Sequence, residues 1–334
     1  MIHSPTAIIR THRIHRYSQV PFSAKPRPLL RGNLTERKHE PIMVREILDL
    51  MDLKPGGIVV DGTLGLGGHA LRFVERIRPG GVLVGFDWDG SMLATARERL
   101  AGSKDVTLHF VHDDFRTLPA ALEELELTAN GILLDLGINS AQVDDPERGM
   151  SFSKEGPLDM RMDRTRGEPA AAWLNRAGLA EIEQALFDLG DERWARAIAR
   201  KIIERRKDSP LETTQDLVDC VLAAIPAGAR DKRIHPATRT FQAVRMVVNR
   251  ELEGLGEAMI GAARSLKVGG VLAILSFHSG EDRIAKQVMK DLAGKGFEEL
   301  TRKPISASED EVRRNPRSRS AKLRAVRRVE YGVI

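Results

Sequence analysis

The sequence of 334 residues contains a single cysteine, Cys220, and few aromatic residues. One cysteine excludes a disulfide framework and a zinc site of the CxxC type, and it indicates a reducing compartment. No apolar run approaches the roughly 20 residues that a membrane-spanning helix needs. These absences predict a soluble, cytoplasmic protein that has no membrane partner.

Charged residues are abundant instead, and their balance is basic. The chain has 52 Lys and Arg against 47 Asp and Glu, which gives a net charge of +5. This balance favours an anionic partner, with nucleic acid the first candidate. Residues 1–37 form a basic arm that we predict to be disordered, because its first acidic residue is Glu36 and it has no clear apolar period. The same bias is typical of an organellar transit peptide, so an organelle is the alternative location.

The first part of the chain alternates short apolar strands with helices. The predicted strands are Ile58–Asp61, Val82–Asp87, Thr107–Val111 and Gly131–Leu136. The predicted helices are Gly68–Ile77 and a segment that ends at Leu100. Such alternation predicts right-handed βαβ units and a parallel sheet.

The second part is predicted to be helical before it returns to strands. The expected helices are Leu179–Leu189, Asp191–Arg206 and Thr213–Ile225. One long helix should then begin near His235-Pro236 and bury positions at helical spacing, namely Phe241, Val244, Val248, Leu252, Leu255 and Met259. Strands are expected at Val271–Phe277 and, at the edge of the sheet, at Val326–Tyr331. The simplest architecture is one α/β domain, residues 38–142 and 236–334, with an all-helical insertion, residues 143–235.

An acidic residue closes or follows each of the first four strands. These residues are Asp61, Asp87, Asp114 and Asp135. The carboxyl ends of parallel strands meet at one edge of a sheet, where such folds bind their ligands, so we expect the four carboxylates around one crevice. They would repel a pyrophosphate and suit a cationic ligand, such as the sulfonium of S-adenosyl-L-methionine (SAM).

The glycine-rich turn after the first strand leaves a second enzyme class open. The segment Gly65–Ala70 matches the dinucleotide fingerprint GxGxxA, so an NAD-dependent oxidoreductase is the alternative. Asp87 would accept hydrogen bonds from ribose hydroxyls in either class. Phe115, after the third strand, would lie against an adenine ring.

Several segments resemble the ribosomal RNA small subunit methyltransferase H family (MraW-like), which are SAM-dependent cytosine N4-methyltransferases. The matching segments are His39–Met43, Asp61–His69, Gly85–Asp87, Gly131–Asp163, His235–Leu252, Ser276–Arg283 and Asn315–Arg324. They span residues 38 to 328 in order, and the strings GPLDMRMD and HPATRTFQA make the match specific. The sequence departs from the family pattern at Asn139, where Ser is usual, and at Gly280, where Leu is common.

The resemblance implies a Rossmann-like class I methyltransferase sheet, with the helical insertion as the substrate-recognition domain. It implies SAM as the cofactor, with contacts from Gly67, Gly68, His69, Asp87, Phe115, Asp135 and Gln142. The roles of His69 and Gln142 rest on the resemblance alone. The implied activity is methylation of the exocyclic N4 of one cytidine of small-subunit rRNA, cytosine 1402 in the family.

The chemistry of the target amine suggests further roles. Its lone pair is delocalised into the ring, so positioning should supply much of the acceleration, up to roughly 7–11 kcal/mol. Asp135 is the candidate acceptor of a hydrogen bond from the amine. Candidate contacts to the target base are Asp159, Arg161, Asp163, His278, Ser279, Glu281 and Asp282. The mechanism needs no metal, and Cys220 is expected to be a structural thiol among apolar neighbours.

Two basic stretches are the expected contacts to RNA phosphates. One is Val312–Arg328, which includes Arg317 and Arg319, and the other is the stripe Arg193, Arg196 and Arg200. With the small-subunit rRNA as partner, the chain is expected to be a monomer or a homodimer. A third class is a noncatalytic rRNA-binding assembly factor of the same fold, for which Asn139 and Gly280 are the hints.

Overall fold

The computed structural model of the protein describes residues 41–231 and 233–330. The basic arm of residues 1–37 lies outside the described residues, so its disorder stays a prediction. His39 and Glu40, the first two residues of the family motifs, also lie outside the described residues.

Eight strands form one sheet at the centre of the described chain. In chain order they are β1 (Ile58–Asp61), β2 (Gly81–Phe86), β3 (Val106–Val111), β4 (Ala129–Asp135), β5 (Leu266–Ser276), β6 (Phe297–Glu299), β7 (Ile305–Ser306) and β8 (Lys322–Arg328). The first five strands are parallel, in the order β3-β2-β1-β4-β5. β8 runs antiparallel to β5, and β6 and β7 run antiparallel to β8. The sheet confirms the predicted α/β, Rossmann-like class.

Some of the described α-helices connect or follow the strands of the sheet, and others form the segment of the chain between β4 and β5. They are α1 (Val44–Met51), α2 (Gly68–Ile77), α3 (Gly90–Leu100), α4 (Leu118–Glu124), α5 (Ser140–Asp144), α6 (Ala170–Arg176), α7 (Leu179–Gly190), α8 (Ala195–Asp208), α9 (Thr214–Ala224), α10 (Thr238–Val248), α11 (Leu255–Arg264), α12 (Ser279–Leu292) and α13 (Glu309–Arg314). None of the described helices is long and apolar enough to cross a membrane.

The order of the strands reverses between β1 and β4. Parallel strands that helices cover on both faces consist of continuous apolar runs. Val59, Val60 and Ile132 of β1 and β4 are fully buried, as expected for such strands. In open α/β sheets the ligand lies outside the carboxyl ends of the strands at such a reversal. Asp61 and Asp135 end β1 and β4, so the topology brings both acids to this point.

The long helix predicted from His235-Pro236 is wrong, because two helices, α10 and α11, take its place. Asn249 ends α10, and its side chain forms hydrogen bonds with the backbone of a distant loop. Its Oδ1 accepts from Met162 N at 2.7 Å, and its Nδ2 donates to Met160 O at 2.8 Å. Arg250 then takes a left-handed backbone conformation with φ of 50°. Side-chain bonds of Asn to backbone groups compete with helix continuation.

The predicted edge strand Val326–Tyr331 is also wrong, both in its first residue and in its location within the sheet. β8 begins four residues earlier, at Lys322, and lies inside the sheet between β5 and β6. β6, which the sequence did not reveal, forms that edge. Tyr331 lies outside the described residues.

The helical insertion has an apolar core of its own. Leu174, Ile182 and Ile198 of α6, α7 and α8 are fully buried in it. The same core includes Phe241 of α10, so helical packing extends past residue 235. Cys220 also lies there, and burial raises the pKa of its thiol to about 11, which agrees with a structural role.

Candidate active site

The turn after β1 connects the ends of the two central strands. Gly62 N donates to Leu133 O of β4 at 2.9 Å, and Asp135 N donates to Thr63 Oγ1 at 2.7 Å. Gly67, with φ of 76°, then turns the chain into α2, in a conformation that favours glycine. No described side chain caps α2, so its first N–H groups are available to an anion such as a carboxylate.

Three titratable side chains, Asp61, His69 and Asp135, meet behind this turn. His69 Nε2 lies 3.6 Å from Asp135 Oδ2, which is beyond hydrogen-bond distance. Among the described residues, neither ring nitrogen of the buried His69 nor Asp61 Oδ2 has a hydrogen-bond partner. Buried polar atoms in proteins normally have partners. These unpaired atoms therefore indicate a polar ligand at the reversal point of the sheet.

Asp87, just after β2, closes the neighbouring side of the crevice. Its Oδ2 accepts from Gly65 N at 2.7 Å and its Oδ1 accepts from Asp89 N at 2.8 Å. Both bonds fix the carboxylate, while each oxygen keeps a lone pair for a ribose hydroxyl. Burial raises the pKa of Asp87 to about 6, against the effect of these two backbone hydrogen bonds.

Two aromatic side chains lie beside these acids. Phe115 follows β3 and packs against the turn at Gly62, where the sequence predicted a contact to adenine. Trp88, next to Asp87, has a buried Nε1–H with no partner among the described residues. Sequence reasoning missed Trp88, although a tryptophan beside a strand-end acid was a signal for it. The guanidinium carbon of Arg116 lies 5.6 Å from the Trp88 ring and 5.4 Å from the Phe115 ring.

One of the four carboxylates predicted around the crevice is neutralised by a neighbouring cation. Asp114 Oδ2 accepts from Arg116 Nη1 at 2.6 Å, and its Oδ1 accepts from Arg116 N at 2.8 Å. Arg116 thereby neutralises Asp114. Asp61, Asp87 and Asp135 remain, and three carboxylates still disfavour a pyrophosphate in the crevice.

These residues fit SAM in each of its parts. Asp61 Oδ2 suits the cationic amino group of the methionine moiety, and the first N–H groups of α2, from Gly68 and His69, suit its carboxylate. Asp87 suits the ribose hydroxyls. Phe115 and Trp88 offer an aromatic face and a free N–H donor to the adenine ring.

The affinity for SAM should increase with pH. Burial raises the pKa of Asp61 to about 7, although the nearby His69 lowers it. The ionised carboxylate attracts the cationic amino group, so binding improves as Asp61 loses its proton. Between pH 6 and 7.5 the ionised fraction of Asp61 rises about eightfold. This range lies below the ordinary pKa of an α-amino group, so the amino group of SAM stays cationic throughout it. Calorimetric titration across this range should show that gain, together with an about twofold gain from Asp87, whose pKa is about 6, and proton release near pH 6.5.

Asp61→Asn is the matched variant for this titration. It keeps the shape of the side chain and removes the charge change. Only about a twofold pH dependence should remain, from Asp87, whose pKa is about 6. A dependence as steep as that of the wild type would contradict the role given to Asp61.

Gln142, which the resemblance assigned to the cofactor, is also tied to the protein. Its Nε2 donates to Asp89 Oδ2 at 3.0 Å, and the side chain is buried. Arg148 donates to the same oxygen from its Nη2, and its Nη1 donates to Met162 O at 3.2 Å. Asp89 therefore links the cofactor side of the sheet, through Arg148, to the loop that carries Asp159.

The three candidate residues of this loop bind within the loop. Asp159 is buried and accepts from Arg161 at both oxygens, at 2.7 and 2.9 Å. Asp163 Oδ1 accepts from Thr165 Oγ1 at 2.6 Å, and Arg166 pairs with its other oxygen at 3.3 Å. Their contact with a target base stays a prediction, and their evident role is to shape the loop.

The second candidate group, after β5, also has internal bonds. His278 Nδ1 accepts from Glu281 N at 3.3 Å and Glu281 Oε2 accepts from His278 N at 3.3 Å, and these two bonds cap α12. His278 Nε2 lies 2.9 Å from Glu281 Oε1, at an angle that makes no hydrogen bond. Ser279 is exposed, and its Oγ donates to Asp191 Oδ2 at 3.4 Å. Its exposure leaves it accessible to a substrate. Asp282 accepts from Arg324 Nε at 2.7 Å.

One group of side chains in the described ranges has metal-ligand spacing. Glu251, His278 and Glu281 each offer a ligand atom within 4.8 Å of the others. Both oxygens of Glu251 already accept from Arg245, at 2.7 and 2.9 Å. The guanidinium of Arg245 thus supplies the positive charge that a metal ion would bring.

The two departures from the family pattern are accommodated. Asn139 Oδ1 accepts from Ala141 N at 2.9 Å and caps α5, a role that Asn and Ser fill equally well. Gly280 lies in the first turn of α12, where an added Cβ would lie 3.2 Å from His278 Nδ1 and 3.3 Å from Leu252 Cδ1. Neither departure displaces an acid of the crevice.

The predicted phosphate contacts lie on the surface. Arg317 and Arg319 are exposed, and Arg317 pairs with Asp144 at 3.1 Å. The stripe Arg193, Arg196 and Arg200 is exposed at the start of α8. Arg317, Arg319 and the stripe are open to a nucleic acid, whereas Arg324 of the first stretch is buried and pairs with Asp282, so the expectation is wrong for that part of the stretch.

Known proteins match nearly the whole chain. The model of the MraW methylase family matches residues 36–329. Ribosomal RNA small subunit methyltransferase H of Geotalea daltonii is 45% identical over 314 residues, which is 89% of this chain and all of that protein. Its counterpart in Symbiobacterium thermophilum is 44% identical, over 88% of this chain and 98% of that protein. A solved rRNA methylase from Streptococcus thermophilus has a TM-score of 0.38 at 11% identity, covering 88% of this chain and all of that chain.

Proposed function

Because the chain belongs to the MraW methylase family of SAM-dependent methyltransferases, we propose that it methylates the exocyclic N4 of a cytidine in small-subunit rRNA. The relatives named above are rRNA small subunit methyltransferases. The proposed target is the position that the family resemblance implies, cytosine 1402. The observation that carries this proposal is the placement of Asp135, whose free oxygen Oδ2 lies at the reversal point of the sheet.

The surroundings of Asp135 orient its carboxylate for an amine. Its backbone N is held by Thr63 Oγ1 at 2.7 Å, and its Oδ1 accepts from Gly137 N at 3.2 Å. Oδ2 is left to accept a hydrogen bond from the target amine, which localises the lone pair of N4 for an in-line attack. The bound cofactor supplies a methyl group on a sulfonium. As the N–C bond forms and the bond between the methyl carbon and the sulfonium sulfur breaks to leave a neutral thioether, Oδ2 would stabilise the positive charge on nitrogen and take the departing N–H proton.

The loop and the basic surfaces have separate proposed roles. The residues Asp159, Arg161 and Asp163 shape the loop over the crevice, and Ser279 contacts the target nucleotide. Arg317, Arg319 and the stripe on α8 contact phosphates, which fix the position of the RNA without reading its sequence. The target nucleotide must be presented unstacked to reach Asp135. A cytoplasmic location and a monomeric or homodimeric state stay predictions of the sequence.

Labelled SAM and small ribosomal subunits that lack the modification test this proposal. After incubation with the protein, mass spectrometry of the rRNA nucleosides should show N4-methylcytidine at one position. Methylation at C5 or on another base would overturn the proposed chemistry. Binding of NADH without methyl incorporation would favour the oxidoreductase, and RNA binding without incorporation would favour the assembly factor.

A further inference from the structure

A polar cavity lies beside the candidate active site, at the carboxyl end of β5. Its volume is about 250 Å³, and its lining includes Phe277, Ser306, Arg319, Ser320 and Lys322. Ser306, Arg319 and Ser320 are exposed, so the cavity is open to solvent. We call it the Phe277–Lys322 pocket. The lining also includes Ser279, the proposed contact to the target nucleotide, whereas Phe277, Ser306, Ser320 and Lys322 have no role in the proposed function.

The pocket shares a wall with the loop that follows Asp135. β4 and β5 are neighbours, with Asp135 paired with Leu275. Phe277 lies two residues further on, and its ring packs against the backbone at Gly137, where an added Cβ would lie 2.7 Å from Phe277 Cε2. A group bound in the pocket is therefore separated from the acid of the active site by one side chain and one loop.

The electrostatics of the pocket are positive. The described residues that line it include Arg319 and Lys322 and no acidic side chain. Lys322 Nζ donates to Asp282 Oδ2 at 3.2 Å, but Asp282 is also bonded to Arg324, at 2.7 and 3.4 Å. Arg324 alone offsets the charge of Asp282, so Lys322 and Arg319 leave a net positive charge. An ammonium has three donors, and Lys322 uses one of them here.

The lining chemistry identifies the ligand class. Two cations with the hydroxyls of Ser306 and Ser320 form a donor set for an anion with several oxygens. Half or more of protein contacts to nucleic acids are to phosphate and sugar, from side chains of these types. The Phe277 ring adds an apolar face for the adjoining nucleoside.

From this arrangement we propose that the Phe277–Lys322 pocket binds the phosphate group of the RNA nucleotide next to the target cytidine. Lys322 and Arg319 pair with the phosphate oxygens, Ser306 and Ser320 donate to them, and Phe277 packs against the adjoining nucleoside. The pocket thereby fixes the register of the RNA beside Asp135. This inference rests on the proposed RNA substrate.

Lys322→Gln tests the pocket through the salt dependence of RNA binding. Loss of one phosphate contact should reduce the slope of log K against log salt by about 1, and should weaken binding to the unmodified RNA by about tenfold at low salt. The affinity for SAM should not change. The matched control is Lys267→Gln, because Lys267 is exposed on β5, the strand that pairs with β8, at the end opposite to the pocket.

Two further measurements keep the outcome clear. Arg319→Gln removes an exposed cation without touching Asp282 and should give the same loss if Lys322→Gln does not fold. Sodium phosphate, compared with chloride at equal ionic strength, should compete with RNA in the wild type and less in Lys322→Gln. Equal slopes and equal phosphate competition for Lys322→Gln and Lys267→Gln would overturn the pocket. Failure of the wild type to methylate cytidine would instead overturn the proposed function, since RNA binding is measured separately.

Discussion

Asp135→Asn should lower kcat for methyl transfer by about 100- to 10,000-fold, the usual range for loss of a positioned proton acceptor. Asparagine keeps the shape of the side chain and an Oδ1 that can accept from Gly137 N. It removes the negative charge that stabilises the nitrogen during attack and the oxygen that takes the proton. Single-turnover methylation of small subunits at saturating SAM measures this loss directly.

Asp87→Asn is the contrasting variant, because Asp87 is the proposed partner of the ribose and not of the amine. We expect the Kd for SAM to rise in Asp87→Asn while kcat at saturating SAM stays within a few-fold of the wild type. In Asp135→Asn the two effects should be reversed, with a near-normal Kd and a low kcat. If Asp135→Asn both turned over and bound SAM normally, both proposed roles of this acid would fail. If it only weakened SAM binding, Asp135 would be a cofactor residue.

The parts of the site that follow from strand periodicity were predictable. A carboxylate at the end of a buried parallel strand has to reach the same sheet edge as its neighbours, and Asp61, Asp87 and Asp135 do. The helical insertion was predictable for a similar reason, since its apolar spacing differs from that of strands. Only its core extended further than expected, into α10.

The parts that depend on contacts between distant residues were not predictable. The break between α10 and α11 depends on Asn249, whose partners Met160 and Met162 are nearly 90 residues away in sequence. The neutralisation of Asp114 by Arg116 depends on a side-chain direction that residue spacing does not fix. β8 pairs antiparallel with β5, and the sequence of β8 alone does not indicate which strand it pairs with. Local patterns therefore located the acids, whereas side-chain direction decided which of them is neutralised.

The pairing of Arg148 with Asp89 is the contact of this kind with the largest expected effect on stability. Both side chains are buried, and 59 residues separate them in sequence. Burial by itself would raise the pKa of Asp89. Hydrogen bonds from Ser91 and Gln142 and the charge of Arg148 outweigh burial, and they hold this pKa below its ordinary value. Asp89 is therefore ionised at neutral pH and depends on Arg148 for its counter-charge.

Arg148→Met should lower the free energy of unfolding by about 3–5 kcal/mol at pH 7, because it leaves a buried carboxylate without its partner. Denaturant unfolding measures this loss. The stabilisation from a carboxylate with a lowered pKa is present above the unfolded pKa and is lost as pH falls. The difference between variant and wild type should therefore shrink as the pH falls toward 4, when Asp89 of the variant takes up a proton.

The matched control is Arg317→Met, which breaks an ion pair of the same type on the surface. Arg317 and Asp144 are each 49% exposed, so this loss should stay below about 1 kcal/mol. Adding Asp89→Asn to Arg148→Met should restore part of the lost stability, since it removes the unpaired charge. Equal losses for Arg148→Met and Arg317→Met would mean that the buried pair does not hold the loop to the sheet. A large loss at Arg148 alone, relieved by Asp89→Asn, would show that this buried pair of charges anchors the loop that carries Asp159 to the sheet.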